Sequence, residues 1–124
     1  MFSYKNIITQ AICCLILTGS ALATNHITQN TNTMLGEKVY HDRCKACHGD
    51  LGDGKTFAAN ALFPPPKNFT SKATKRELTR KRMIRSITKG RPNTAMMPWE
   101  NILSDHEIDS VVHYIRKAFM KLED

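Results

Sequence analysis

Cys44-Lys45-Ala46-Cys47-His48 sets two thiols three residues apart with an imidazole directly after them. At that spacing both thiols can add to the vinyl groups of one haem while the imidazole comes to lie under the iron. One residue further on, Gly49-Asp50-Leu51-Gly52-Asp53-Gly54-Lys55-Thr56 spells G-x-x-x-x-G-K-[ST], the loop that cradles phosphates in nucleotide-binding proteins. Which chemistry the chain can perform depends on the elements that would position these residues.

A phosphate loop joins a buried β-strand to the amino end of a helix. Here a polar helical stretch and two cysteines precede Gly49, and no parallel-sheet pattern follows, so that match lacks its setting. A thioredoxin-like redox pair would need a βαβ context, which is also missing. Structural zinc takes four ligands, yet no second C-x-x-C and no H-x-x-x-H follows. A plain disulfide between Cys44 and Cys47 would leave His48 without a part. Haem attachment uses all three residues.

A haem iron held by one His keeps an open position, whereas an electron carrier closes it with a second side chain, often a Met thioether, which raises the potential. Met96-Met97-Pro98-Trp99 offers two adjacent thioethers that point in different directions, so at most one reaches the iron. His26, His41, His106 and His113 are rival ligands. His26 lies in a polar lead-in, and His106 and His113 do not join an apolar helix stripe, so these are read as surface residues.

The elements follow from periodicity. Leu35, Val39 and Tyr40 predict a short helix over Met34 to Arg43, running into the first cysteine. His48 to Gly54 is turn-rich, and Ala58 to Leu62 can form one helical turn before Pro64-Pro65-Pro66 ends it. Thr74-Lys75-Arg76-Glu77 has the capping-box form and predicts a helix with Met83, Ile84 and Ile87 on one side, closed by Gly90. A second box, Ser104-Asp105-His106-Glu107, opens a helix whose stripe is Ile108, Val111, Val112, Ile115, Phe119 and Leu122. Nothing alternates like a strand. The expected class is all-α, with three main helices and long loops over 48–62 and 90–103 that need a large flat partner to pack on. Phe69 and Trp99 are candidate walls for it.

The first 23 residues carry one charge, Lys5, an apolar run from Ala11 to Leu17 and the small-x-small end Ala21-Leu22-Ala23. This predicts a signal peptide over 1–23, cleaved after Ala23, and hence a periplasmic protein. Residues 24–33 are expected to be a flexible lead-in and 34–124 the folded domain. Cleavage would leave 101 residues, with Cys44 and Cys47 as the remaining thiols, too few for a disulfide scaffold. A domain that small usually recruits a metal or cofactor to complete its core. Residues 67–91 hold ten Lys or Arg and one acid, Glu77. A solvated helix face explains such a run, and so does docking to an acidic partner. Nucleic acid is not expected, because the segment lacks interleaved aromatics for stacking.

From about Leu35 to Phe119 the chain resembles class I c-type cytochromes: Gly36 and Tyr40 in the first helix, Cys44, Cys47 and His48, the triple proline, Gly90, Met97-Pro98, and Tyr114 in the last helix stand in family order. The resemblance implies a small cytochrome c fold around one covalent haem c, held by Cys44 and Cys47, with His48 and Met97 as axial iron ligands. It implies that the first and last helices cross at Gly36, near Tyr40 and Tyr114. It further implies that a proline carbonyl, of Pro65 or Pro66, accepts the ring proton of His48. The expected function is an exported monohaem carrier of single electrons between redox partners of a respiratory chain, monomeric, not an enzyme, and touching membranes only through partner complexes. The alternatives are a five-coordinate haem enzyme or sensor, or a cytochrome subunit of a larger dehydrogenase or oxidase.

Overall fold

The computed structural model describes residues 30–123. The expected signal peptide over 1–23 and residues 24–29 of the lead-in lie outside the described residues. The compact unit that carries the site is Asn32–Asp124.

The first helix, α1, is helical already at residues 32 and 33, earlier than the apolar spacing marks, and runs as an α-helix to 39. It widens into a π turn at Tyr40–Cys44 and closes with an α turn at Lys45–His48, so the C-x-x-C-H run sits on the end of a continuous helical rod. A short 3-10 turn, Ala58–Ala61, follows the glycine-rich loop, where a single helical turn is expected. The predicted helix opening at Thr74 is in fact two. α2 spans Lys72–Glu77 and α3 spans Arg80–Lys89. The Thr74–Glu77 box does not form: Ser71 Oγ accepts from the Thr74 amide and caps α2, and Thr79 Oγ1 accepts from the Arg82 amide and caps α3. The break has a tertiary cause. Leu78 takes an extended conformation between the two helices, which sends its side chain into the core.

α4 spans Asp105–Ile115 and continues as a π turn through Arg116–Met120. Its capping box forms as the sequence predicts, with Ser104 and Glu107 each bonding the other's amide. Ile108, Val111, Val112 and Ile115 are buried, and Phe119 and Leu122 pack against them from the margin. α1 and α4 cross at Gly36, where a Cβ would stand 2.0 Å from the Ser110 carbonyl oxygen, so only glycine permits this approach. Tyr40 packs beside the crossing against Tyr114 and Phe119, with ring centroids 5.6 and 4.9 Å away. One core, built from α1, α3, α4 and the buried Phe69, Leu78 and Leu103, holds the described elements together. No strand and no helix long and apolar enough to cross a membrane occurs among the described residues.

Candidate functional site

The end of α1 faces a cavity of about 570 Å³, within the range of small-molecule and cofactor sites. Cys44, Cys47 and His48 stand on one side of it. Phe69, Leu78, Met83, Ile87, Ile115 and Trp99 supply apolar wall, which includes both Phe69 and Trp99 as the sequence suggested. Of the two long loops expected to pack on a cofactor, 90–103 lines the cavity through Arg91, Thr94, Ala95, Met96 and Trp99, whereas 48–62 reaches it only at its ends, His48 and Leu62, and residues 64–69 close the remaining side.

Cys44 and Cys47 are half-buried and not joined to each other. Burial, and then the neighbouring Cys47, push the Cys44 thiol up to about 12. Desolvation also holds the His48 imidazole below its ordinary pKa, and the carbonyl facing Nδ1 only partly offsets this. A neutral imidazole is the form that ligates iron. His48 stacks on Phe69 with centroids 4.7 Å apart and 15° between the planes. The carbonyl opposite Nδ1 belongs to Lys67, at 3.3 Å, and not to Pro65 or Pro66 as the resemblance implied. The Pro66 carbonyl is turned to Gly54, where a Cβ would meet it at 2.9 Å, which leaves the next carbonyl along the chain to face the ring. Holding one ring nitrogen in this way fixes the tautomer and presents Nε2 to the cavity.

The start of the glycine loop is tied to α1. Tyr40, fully buried, donates from its hydroxyl to the Gly49 carbonyl at 2.7 Å. Loop amides that a phosphate would need are already spent: Gly52 N–H bonds to Gly49 O at 3.1 Å and Gly54 N–H to His48 O at 2.8 Å. Thr56 Oγ1 accepts from the Ala59 amide at 3.0 Å and donates to the Cys47 carbonyl at 3.4 Å. The loop is a set of turns leaving the C-x-x-C-H run, with Gly49, Gly52 and Gly54 at positive φ.

Across the cavity the two adjacent methionines are placed differently. Met96 is half-buried, packs against the core and lines the cavity. Met97 is 48 % exposed and does not contribute to the lining. The cause is the register of the segment. Arg91 N–H bonds to Met96 O at 2.8 Å and Trp99 N–H to Ile87 O at 3.0 Å, which pins residues 96 and 99 on α3 and its following turn. Gly90 makes room for this strap, since a Cβ there would lie 2.7 Å from both Met96 O and Pro98 N. Of the rival ligands, His41 is exposed beside Asp50, at 3.9 Å, and His106 is exposed and within 3.1 Å of Asn32 Oδ1. His113 is half-buried on α4, and none of the three lines the cavity. His26 lies outside the described residues. No group of three or more His, Cys, Asp or Glu that could hold a bare metal ion occurs among the described residues.

Two thiols and an imidazole at one wall, a thioether opposite and apolar faces between them fit a haem. The family model described as cytochrome c oxidase, cbb3-type, subunit III, matches residues 31–115. The chain belongs to this family of c-type cytochromes. The cytochrome is similar to the solved KustC0563 c-type cytochrome, at 28% identity over 66% of this chain and 94% of that one, with a TM-score of 0.55. It is also similar to a chain of the reducing HAO-like protein complex Kustc0457/Kustc0458 of Kuenenia stuttgartiensis, at 30% identity over 68% of this chain, with a TM-score of 0.57; it spans 41% of that chain. No curated protein matches the cytochrome. The class I fold, a covalent haem c and an electron-transfer role are therefore properties of this chain.

Sequence reasoning missed the Lys67 carbonyl, because any residue type supplies one. It also missed Tyr40 as the tie to Gly49 and Thr56 as the tie to Cys47, though a Tyr on the apolar side of a helix entering the C-x-x-C-H run is a signal for the first.

Proposed function

We propose that the cytochrome is an exported, periplasmic monohaem carrier in which Cys44 and Cys47 would hold the haem through thioethers and His48 and Met96 would ligate its iron. The observation that carries this is the placement of Met96, half-buried in the cavity wall, while Met97 faces out. The haem supplies a one-electron ferric/ferrous couple. The protein's residues would do the rest: the Lys67 carbonyl orients His48, a thioether on the iron would favour the ferrous state, and Phe69, Met83, Ile87 and Trp99 would keep water from the bound group. An optical spectrum tests the assignment. The weak far-red sulfur-to-iron band of the oxidised protein should survive Met97→Ala and vanish in Met96→Ala; the opposite pattern would refute it.

The partner is proposed to be a redox protein with an acidic surface. Of the ten basic residues in 67–91, Lys67 and Arg82 share Glu77, Arg80 pairs with Asp109 and Lys89 with Glu100. Lys72, Lys75, Arg76, Lys81, Arg85 and Arg91 have no acidic partner among the described residues, which leaves α2 and α3 a cationic surface suited to charge-steered encounter. A second reading, a permanent subunit of a larger redox assembly, is favoured by the similarity to a chain from a multi-protein complex. Sedimentation of the protein isolated from its source separates the two, since a carrier runs alone.

A further inference from the structure

We infer that Thr94 is a positioning residue that holds Met96 against the iron site through the main chain. The inference rests on the reading of Met96 as axial ligand.

A methionine side chain has three rotatable bonds and a soft sulfur, so it reaches a fixed point reproducibly only if its backbone is fixed first. Met96 is held at both of its main-chain polar groups. Its carbonyl accepts from Arg91 N–H at 2.8 Å, and its N–H donates to Thr94 Oγ1 at 3.1 Å. The Thr94 hydroxyl spends its one proton on the Arg91 carbonyl, at 2.8 Å, which the Thr94 amide also reaches at 3.2 Å. Residues 91–96 thus form a closed ring of hydrogen bonds in which a single side-chain oxygen is both donor and acceptor. Pro92 followed by Asn93, at φ +60°, makes the turn that brings Thr94 back over Arg91. Thr94 is half-buried and lines the same cavity as Met96.

Valine has the shape of threonine without the hydroxyl. In Thr94→Val the Met96 N–H loses its partner and the Arg91 carbonyl keeps only the amide bond. A net hydrogen bond in this setting corresponds to about a 5- to 10-fold change in an equilibrium. The equilibrium at stake is ligand opening, because an outside ligand such as carbon monoxide binds the ferrous protein only when the thioether has left.

The test uses the purified holoprotein with its haem attached. Thr94→Val should bind carbon monoxide about 5 to 10 times faster than wild type and show a weaker far-red band, and Thr94→Ser, which restores the hydroxyl, should return both toward wild type. Where Thr94→Val does not accumulate as holoprotein, Thr94→Ala removes the same group and is read in the same way. Wild-type binding rate and full band in the hydroxyl-free variant overturn the inference, and so does a Thr94→Ser variant as open as Thr94→Val, which would assign the effect to packing. Met96→Ala run alongside separates the two levels. If it keeps the far-red band, the ligand assignment itself falls and this inference with it; if it loses the band while Thr94→Val is unaltered, the ligand stands and Thr94 has no part in holding it.

Discussion

Replacing Gly36 by alanine should destabilise the cytochrome although the same change in an exposed helix would help it. The added Cβ would sit 2.0 Å from Ser110 O, 2.6 Å from Ser110 C and 2.8 Å from Tyr114 Cβ. Ordinary carbon contacts begin near about 3.5 Å, so α1 and α4 must part by about 1 Å or more. The groups it meets are mostly backbone, which does not swing aside. Overpacking of this kind costs about 1–3 kcal/mol, at the upper end here. Alanine returns about 1 kcal/mol through its better helix propensity. The net loss is about 1–2 kcal/mol, which at a urea dependence of roughly 1 kcal/mol per molar lowers the midpoint by about 1–2 M. Urea unfolding of the holoprotein, followed by far-UV circular dichroism and in parallel by the far-red band, reads the effect. An unchanged or raised midpoint with an unchanged slope would show that the helices do not cross in contact at Gly36. Because α1 ends in Cys44–His48, any parting also displaces the attachment site, so the band should weaken before the helices melt.

Cys44→Ala and Cys47→Ala should each leave one vinyl group unreacted, seen as a red shift of the alkaline pyridine spectrum of the reduced haem; no shift in either would remove that cysteine from the attachment. Electron transfer to an acidic redox protein should slow as salt rises, and Lys72→Glu combined with Arg76→Glu should flatten that dependence; a rate indifferent to salt in the wild type would refute charge steering. The Glu107 carboxyl is held below its ordinary pKa by the Ser104 amide and hydroxyl. A depressed carboxylate adds stability that is present above its unfolded pKa and is lost as pH falls through the folded one. Stability should therefore decline on acidification below that unfolded value, about pH 4.3, less steeply in Glu107→Gln, and an identical decline in the variant would show that the capping box does not contribute.

What was legible in the chain was local. The α4 stripe and its Ser104–Glu107 box are decided within a few residues, and both form as read. The C-x-x-C-H run and the apolar spacing before it likewise place the site at the end of α1. The break between α2 and α3 was not legible, because it depends on Leu78 finding a place in a core made by distant residues. Propensity alone would carry a helix through it. Ser71 and Thr74 were both acceptable cap types three residues apart, and only the path of the chain out of the proline loop selects Ser71. Thr56, the last residue of the rejected phosphate-loop match, makes two bonds inside the turn that follows the haem-binding run.

That Met96 lines the cavity while Met97 is exposed has the same origin. A residue before proline is restricted to extended conformations, and along an extended chain successive side chains point to opposite sides. In Met96-Met97-Pro98 one methionine must then face in and the other out, which the sequence established, but which is which depends on register. Register is set by bonds to residues outside the segment: Arg91 N–H on Met96 O, Thr94 Oγ1 on Met96 N–H and Trp99 N–H on Ile87 O. A slip by one residue that brought Met97 to the place of Met96 would make Arg91 and Thr94 release Met96 and Ile87 release the Trp99 N–H, drawing Trp99 from its place in the cavity wall. Bonds to Arg91, Thr94 and Ile87, and not the Met96-Met97-Pro98 segment itself, thus decide which of the two methionines lines the cavity.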